Sequence, residues 1–123
     1  MADISATLFS SMTSTNNGIP WVFPIVSEKY KGCGYYGQNN GLHTVQYSTI
    51  NGFNGVVNIQ ASLASDPTET DWFDVDNTTL GTGLTPVFDQ TLVINFAGNF
   101  VWVRGIITQF TAGELNRVLY SHN

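Results

Sequence analysis

The sequence predicts an all-β protein: a single-domain antiparallel β-sandwich, jelly-roll-like, with seven to eight strands. Three observations carry this reading. Gly55 to Leu63 alternates strictly, with Val57, Ile59, Ala61 and Leu63 on one face and Val56, Asn58, Gln60 and Ser62 on the other. Phe100 to Phe110 is mostly apolar on both faces, with Arg104 interrupting one of them, as a central strand covered on both sides would be. Turn signals built on Gly, Asn, Asp and Pro separate the short apolar runs, and no stretch has a helical period or repeats another.

Taken in order, residues 1–18 read as an N-terminal arm or tail, with a short strand at about residues 3–9 where Ile4, Ala6 and Leu8 alternate with polar positions. Residues 19–123 read as the sandwich domain. The apolar segment Trp21-Val22-Phe23-Pro24-Ile25-Val26 is preceded by Pro20 and interrupted by Pro24. Proline cannot donate to a ladder, so this is either an edge segment covering its own core or an arm that docks on a neighbour. Removing residues 1–18 is expected to leave the domain folded and to weaken attachment to a partner. Lys31 to Gly41 is a glycine-rich loop, and the absence of a following Gly-Lys-Ser/Thr excludes a phosphate-binding loop.

Leu42 to Ile50 alternates as a strand, with His43, Val45 and Tyr47 on one face. Asn51-Gly52 signals a tight reversal. Residues 64–71 form an acidic turn from which Trp72 to Val75 pairs back. Thr91 to Phe96 is a strand, and Thr111-Ala112-Gly113-Glu114 reads as a hairpin loop before the last strand, Leu115 to Tyr120. Trp72 and Trp102 are core candidates, since large aromatics dominate sandwich cores.

Charge narrows the function. The 123 residues carry four basic and nine acidic side chains, a net charge of −5, so the phosphate-neutralising stripe of a nucleic-acid binder is missing. Anionic membrane surfaces are disfavoured for the same reason, and no apolar run approaches the ~20 residues of a membrane span. Charged residues make up only 11 % of the chain, against a usual quarter. A surface of Ser, Thr, Asn, Gln and Gly costs little to desolvate and suits contact with other protein. Cys33 is the single cysteine, so no internal disulfide is expected. Met1-Ala2-Asp3-Ile4-Ser5 has neither a basic nor an apolar leader region, so no secretory signal is expected.

No enzymatic activity, cofactor or metal is expected. Asp66, Glu69, Asp71, Asp74 and Asp76 offer oxygen ligands but lack the glycine and closing glutamate of a calcium loop, and they match a solvated turn. Cys33 and His43 are the only thiol and one of two imidazoles, and no Gly-x-Ser-x-Gly elbow accompanies them. Arg104 either pairs with an acid of the 66–76 turn or faces a partner, as interface arginines do. Tyr35 and Tyr36 are either a lid on the sheet or an exposed ligand-binding pair. Trp21, Phe23 and Arg104 are the candidate partner-interface residues.

Gly34-Tyr35-Tyr36-Gly37, Gly41-Leu42-His43-Thr44-Val45-Gln46-Tyr47, Ile59-Gln60-Ala61-Ser62-Leu63, Asp71-Trp72-Phe73 and Gly98-Asn99-Phe100-Val101-Trp102-Val103-Arg104 resemble patterns of small virion structural proteins of tailed bacteriophages, T4-like and cyanophage-type. The resemblance spans roughly residues 34–120. The Ile-Gln-Ala-Ser-Leu, Asp-Trp-Phe and Trp-Val-Arg segments also look like the jelly roll of discoidin-type carbohydrate-binding modules, although the chain is short and lacks a disulfide closing the sandwich ends. The phage resemblance implies a virion component made in the bacterial host cytoplasm: a capsid decoration protein or a small tail, baseplate or fibre-attachment protein. Its implied partners are other virion structural proteins and further copies of itself, with a trimer suiting capsid and fibre axes. The alternative is a carbohydrate-binding module that contacts a host surface glycan.

Overall fold

The computed structural model describes residues 4–37 and 41–122. The chain is all-β, with strands β1 (Ile4–Thr13), β2 (Thr15–Asn16), β3 (Ile19–Pro20), β4 (Ile25–Val26), β5 (Tyr30–Lys31), β6 (Leu42–Ser62), β7 (Phe73–Asp74), β8 (Gln90–Ala97) and β9 (Trp102–His122). Among the described residues the only helical turns are 3-10 segments at Cys33–Tyr36 and Glu69–Asp71.

Two strands of 21 residues, β6 and β9, form the spine. They run antiparallel from His43 opposite His122 to Ser62 opposite Trp102. Halfway along, the register breaks repeatedly between Ser48 and Val57. Asn51, Gly52 and Gly113 there take left-handed φ values of 59°, 71° and 77°. Such bulges bend a strand and sharpen its twist, so both strands turn a corner at the same level. Gly113 lies directly against the backbone of Gly52 and Phe53, where a Cβ would strike main chain.

The corner folds one seven-stranded antiparallel sheet into two facing layers. One layer holds β1, the C-terminal half of β9, the N-terminal half of β6, and β8. The other holds β4 and β5, the N-terminal half of β9, the C-terminal half of β6, and β7. Contacts across the gap identify the sandwich. A Cβ on Gly105 would lie 2.7 Å from Phe9 Cε2, so the layers meet where only glycine fits. The Tyr30 hydroxyl donates to the Thr7 carbonyl (3.1 Å) and the Tyr47 hydroxyl to the Thr78 carbonyl (2.6 Å). One core cluster joins Phe9, Val45, Tyr47, Leu115 and Tyr120 of the first layer to Ile59, Val103, Ile107 and Phe110 of the second.

The sandwich and its alternation match the sequence: His43, Val45 and Tyr47 are buried on one face, as are Val57, Ile59 and Ala61. Leu63 departs from the pattern because β6 ends at Ser62, leaving it 64 % exposed. Asn51-Gly52 and residues 111–114 are not chain reversals. They are the two sides of the corner inside continuous strands. Positive-φ residues serve a bulge as well as a hairpin; the outcome is set by whether the chain beyond keeps the same partner, and here both halves of β6 pair with β9.

The N-terminal segment belongs to the fold. The short strand expected at residues 3–9 extends over 4–13, pairs with β9, and places Leu8 and Phe9 in the core. Removing residues 1–18 would take away this edge strand and two core side chains, so the tail expected to be dispensable for folding is part of the sandwich. Trp72 and Trp102 are half-buried on the outside of the second layer, not in the core cluster.

Candidate functional site

Four surfaces and one buried network carry the chemically distinctive residues. The network sits at the open end of the sandwich, opposite the corner, where the ends of β6 and β9 meet. His43 Nε2 donates to the Gly98 carbonyl at 2.6 Å, which leaves Nδ1 to accept from the Tyr120 hydroxyl, also at 2.6 Å. The ring is thus the neutral Nε2–H tautomer. Burial pushes its pKa below the ordinary imidazole value, partly offset by the Gly98 bond, with His122 nearby lowering it further. Burial also raises the Tyr120 hydroxyl well above the usual tyrosine range. Phe96 stacks on His43 at 4.9 Å and Phe100 lies at 5.3 Å. Cys33 Sγ lies 3.4 Å from His122 Nδ1, with both residues buried. The imidazole beside the thiol is thus His122, not His43, because β9 carries His122 to the strand end packed on the Cys33–Tyr36 turn. An enclosed contact of this kind is first a packing feature.

Arg104 is 6 % exposed on the outer face of the second layer. Its guanidinium reaches both carboxylate oxygens of Glu69 at 3.2 and 3.3 Å, and its Nε donates to Gln60 Oε1 at 3.0 Å. Trp72 lies over it, ring centroid 4.3 Å away. Glu69 is therefore held below the usual carboxylate range by its hydrogen bond to Arg104. Of the two sequence readings, this geometry is the pairing with an acid of the 66–76 turn. Asp71 caps the Thr68 backbone, and Asp74 Oδ1 accepts from Asn58 and Gln60. The acids are thus spread among separate partners. Among the described residues, no group of three or more His, Cys, Asp or Glu side chains is placed to hold a metal.

Tyr35 and Tyr36 are 45 % and 47 % exposed and meet edge to face at 5.3 Å. Tyr35 also meets Trp102 edge-on at 5.3 Å. Lys31 covers the Tyr35 ring, and Lys29 the Trp102 ring, each at 4.5 Å. The pair that the sequence left as either a lid or an exposed site is thus a half-exposed, angled cluster set against Trp102 and capped by ammonium groups. Trp21 is half-buried and donates its indole N–H to the Thr13 carbonyl at 2.9 Å, while Phe23 is exposed.

Two connections turn the corner along opposite edges. Residues 14–24 leave β1 where Thr13 faces Glu114 and join β4 where Ile25 faces Ile107. Residues 81–89 track β6: the Val87 N–H donates to the Phe53 carbonyl at 2.9 Å, and Asp89 accepts from the Gly52 N–H at 3.1 Å. Their tips hold the most exposed large apolar side chains described: Val22 (87 %), Leu84 (85 %), Phe88 (89 %) and Ile19 (68 %).

The last surface is a cleft of about 440 Å³ between the β7 connection and the end of β8, lined by residues 73–77, 95–97 and Phe100. Neither histidine nor Cys33 lines it. Of the interface residues foreseen from sequence, Trp21 and Phe23 flank the corner loop and Arg104 is engaged within the chain. The apolar residues of the 81–89 connection and the cleft were not foreseen, whereas Val22 lies in the segment read as an edge or docking arm. Leu84, Val87 and Phe88 amid Pro, Gly and Asp gave a signal, since apolar residues in a turn-rich stretch have no strand face to bury. The cleft gave none, because it joins segments about 20 residues apart.

Compared with known proteins, no family model, curated sequence or solved structure matches this chain.

Proposed function

We propose that this chain is a non-enzymatic assembly protein that associates with further copies of itself through the two apolar loops at its corner end. The observation that carries this is the exposure of Val22, Leu84 and Phe88, each above four-fifths, on loops flanking one end of an otherwise well-buried sandwich. Ordinary soluble surfaces scatter such residues singly. Here they project from two loops beside the same corner. Most flanking residues are uncharged, Asn16, Asn17 and Gly18 on one loop and Thr82, Thr85 and Pro86 on the other; the exception, Asp89, has its carboxylate engaged by the Gly52 N–H. Little charge has to be desolvated when copies meet, and a patch poor in charge can face its own copy across a two-fold axis with little like-charge repulsion.

The larger assembly in this proposal is a tailed-phage particle, in which the chain is a capsid decoration protein or a small tail, baseplate or fibre-attachment protein. That placement rests on the resemblance of the segments within residues 34–120 and on the low charge of the surface. Enclosure of His43, Cys33 and His122 supports a structural role for them in this reading. Immunogold electron microscopy on particles of the phage that encodes the chain tests the placement. Label over the head or confined to the tail agrees with it. Absence of the chain from purified particles contradicts it.

A further inference from the structure

We propose that two copies of this chain pair through the free edge of β8, so that Phe88 of each copy seats in the cleft between β7 and β8 of the other. This rests on the assembly reading and specifies where one of its two loops goes. β8 pairs with β6 along all of Gln90–Ala97 without a register break, and among the described residues no second strand pairs with it. Its other side is a row of unmatched N–H and C=O groups, which another extended backbone matches. Edge strands are normally blunted by lysine, proline, bulges or cover. The opposite edge of the same layer has such a guard: β1 shifts register between Thr7 and Phe9, and Ser11 takes a φ of 45°. β8 carries no charge, no proline and no break.

An uncharged strand can lie against its own copy, and antiparallel pairing about a two-fold axis satisfies both edges at once. With the axis at Val93, which is exposed, Val93 faces Val93 of the second copy and Leu92 faces its Ile94. Leu92 and Ile94 lie opposite buried Tyr47 and Val45 and are themselves only half-buried. The second strand gives each of them an apolar cross-strand neighbour.

The same alignment places Phe88. It stands as many residues before Val93 as Gly98 stands after it. It also stays on the edge of β6, where its carbonyl accepts from the Thr49 hydroxyl at 3.1 Å. Phe88 of one copy thus arrives beside residues 95–97 of the other, at the cleft of about 440 Å³. The rings there sit between the layers: Phe73 is opposite buried Ala61, and Phe96 opposite buried His43. Phe73 is 40 % exposed and meets Phe100 edge to face at 5.8 Å. In a single copy, an almost wholly exposed phenyl ring and an open aromatic gap occupy the two ends of one edge. Antiparallel pairing brings each to the other, and the rings gain burial and edge-to-face contact. Asp89 and the exposed Asp76 of the second copy are the like charges that approach, so association is expected to strengthen as salt screens them.

The test is oxidative cross-linking of the full-length Val93→Cys variant, with sedimentation equilibrium of Phe73→Ala and Phe88→Ala beside it. Opposed residues of antiparallel strands have Cα atoms about 4.5–5.5 Å apart, inside the range a disulfide spans. Val93→Cys is expected to form a disulfide-linked dimer, while the wild type, whose Cys33 is buried, stays unlinked. Thr91→Cys, which faces Asn95 of the second copy and not its own counterpart, links far less. Phe73→Ala and Phe88→Ala each weaken self-association at least tenfold, and the double variant is no weaker than the worse single, since both remove one contact. Val93 and Phe88 are exposed, so their substitution spares the core, and a melting curve checks Phe73→Ala. The inference is overturned if Val93→Cys assembles without cross-linking, or if folded Phe73→Ala self-associates as the wild type does; in either case the corner-loop reading survives. A wild type that stays monomeric overturns that reading and this inference with it.

Discussion

The Tyr120 hydroxyl donates a 2.6 Å hydrogen bond to His43 Nδ1 inside the open end of the sandwich, joining neighbouring strands β9 and β6. Donation in that direction goes with the neutral imidazole; a protonated ring would instead donate Nδ1–H to the hydroxyl oxygen. Burial is what keeps the ring neutral, holding the folded-state pKa of His43 below its ordinary value of 6.5. The unfolded chain takes up a proton first as pH falls. The stability contributed by this group is complete above about pH 6.5 and declines below it, toward the lowered folded value. Melting temperature measured between pH 8 and 5 is expected to fall on the acid side of 6.5. His43→Gln, which keeps a polar partner but cannot titrate, should flatten that slope; an unchanged slope in the variant contradicts the assignment.

Glu69 titrates in a lower window. Its folded pKa is depressed by Arg104, so its contribution is present above the ordinary carboxylate value of 4.5 and is lost as pH falls below it. Because its side chain is 81 % exposed, solvent screens the pair. Glu69→Gln is expected to melt close to wild type at pH 7. Arg104→Ala should cost about 2 kcal/mol, because it removes the guanidinium stacked on Trp72 and strands Gln60 Oε1. Urea unfolding of the two variants separates them, and equal losses would contradict the account.

The corner predicts an asymmetry between its two glycines. A Cβ at Gly113 strikes the backbone of Gly52 and Phe53, while one at Gly52 finds only Pro86 Cβ at 3.9 Å. Both positions have positive φ. Gly52→Ala should cost about 1 kcal/mol, the ordinary left-handed penalty. Gly113→Ala should cost clearly more, about 3 kcal/mol, since main chain must move. Denaturant midpoints measure both, and a reversed order would mean that the strands do not cross as described.

Much of the sandwich was legible because burial on one face writes a period of two into the chain, as at His43-Val45-Tyr47 and Val57-Ile59-Ala61. The corner was not legible. Asn51-Gly52 and Gly113 announce positive φ, but a hairpin and a bulge make the same local demand, and only pairing with a distant strand distinguishes them. The place of Leu8 and Phe9 in the core was hidden for a related reason: ten residues before a polar tract look like a tail until β9 is known to need an edge partner. Arg104 was legible as a cation beside an acidic turn, but Glu69 as its partner and Trp72 as its roof depend on the Glu69–Asp71 turn. The cleft depends on the separate positions of Phe73, Asp76, Asn95 and Phe100 and has no linear trace.

Sedimentation velocity on the full chain over a wide concentration range, wild type beside the double variant Val22→Asp/Phe88→Asp, tests the assembly account most directly. Both side chains are almost wholly exposed, so the substitutions leave the core untouched. The account predicts a wild-type oligomer and a variant that sediments as the 13.5 kDa monomer with an unchanged melting curve. A wild type that remains monomeric throughout, or a variant that assembles as the wild type does, contradicts it.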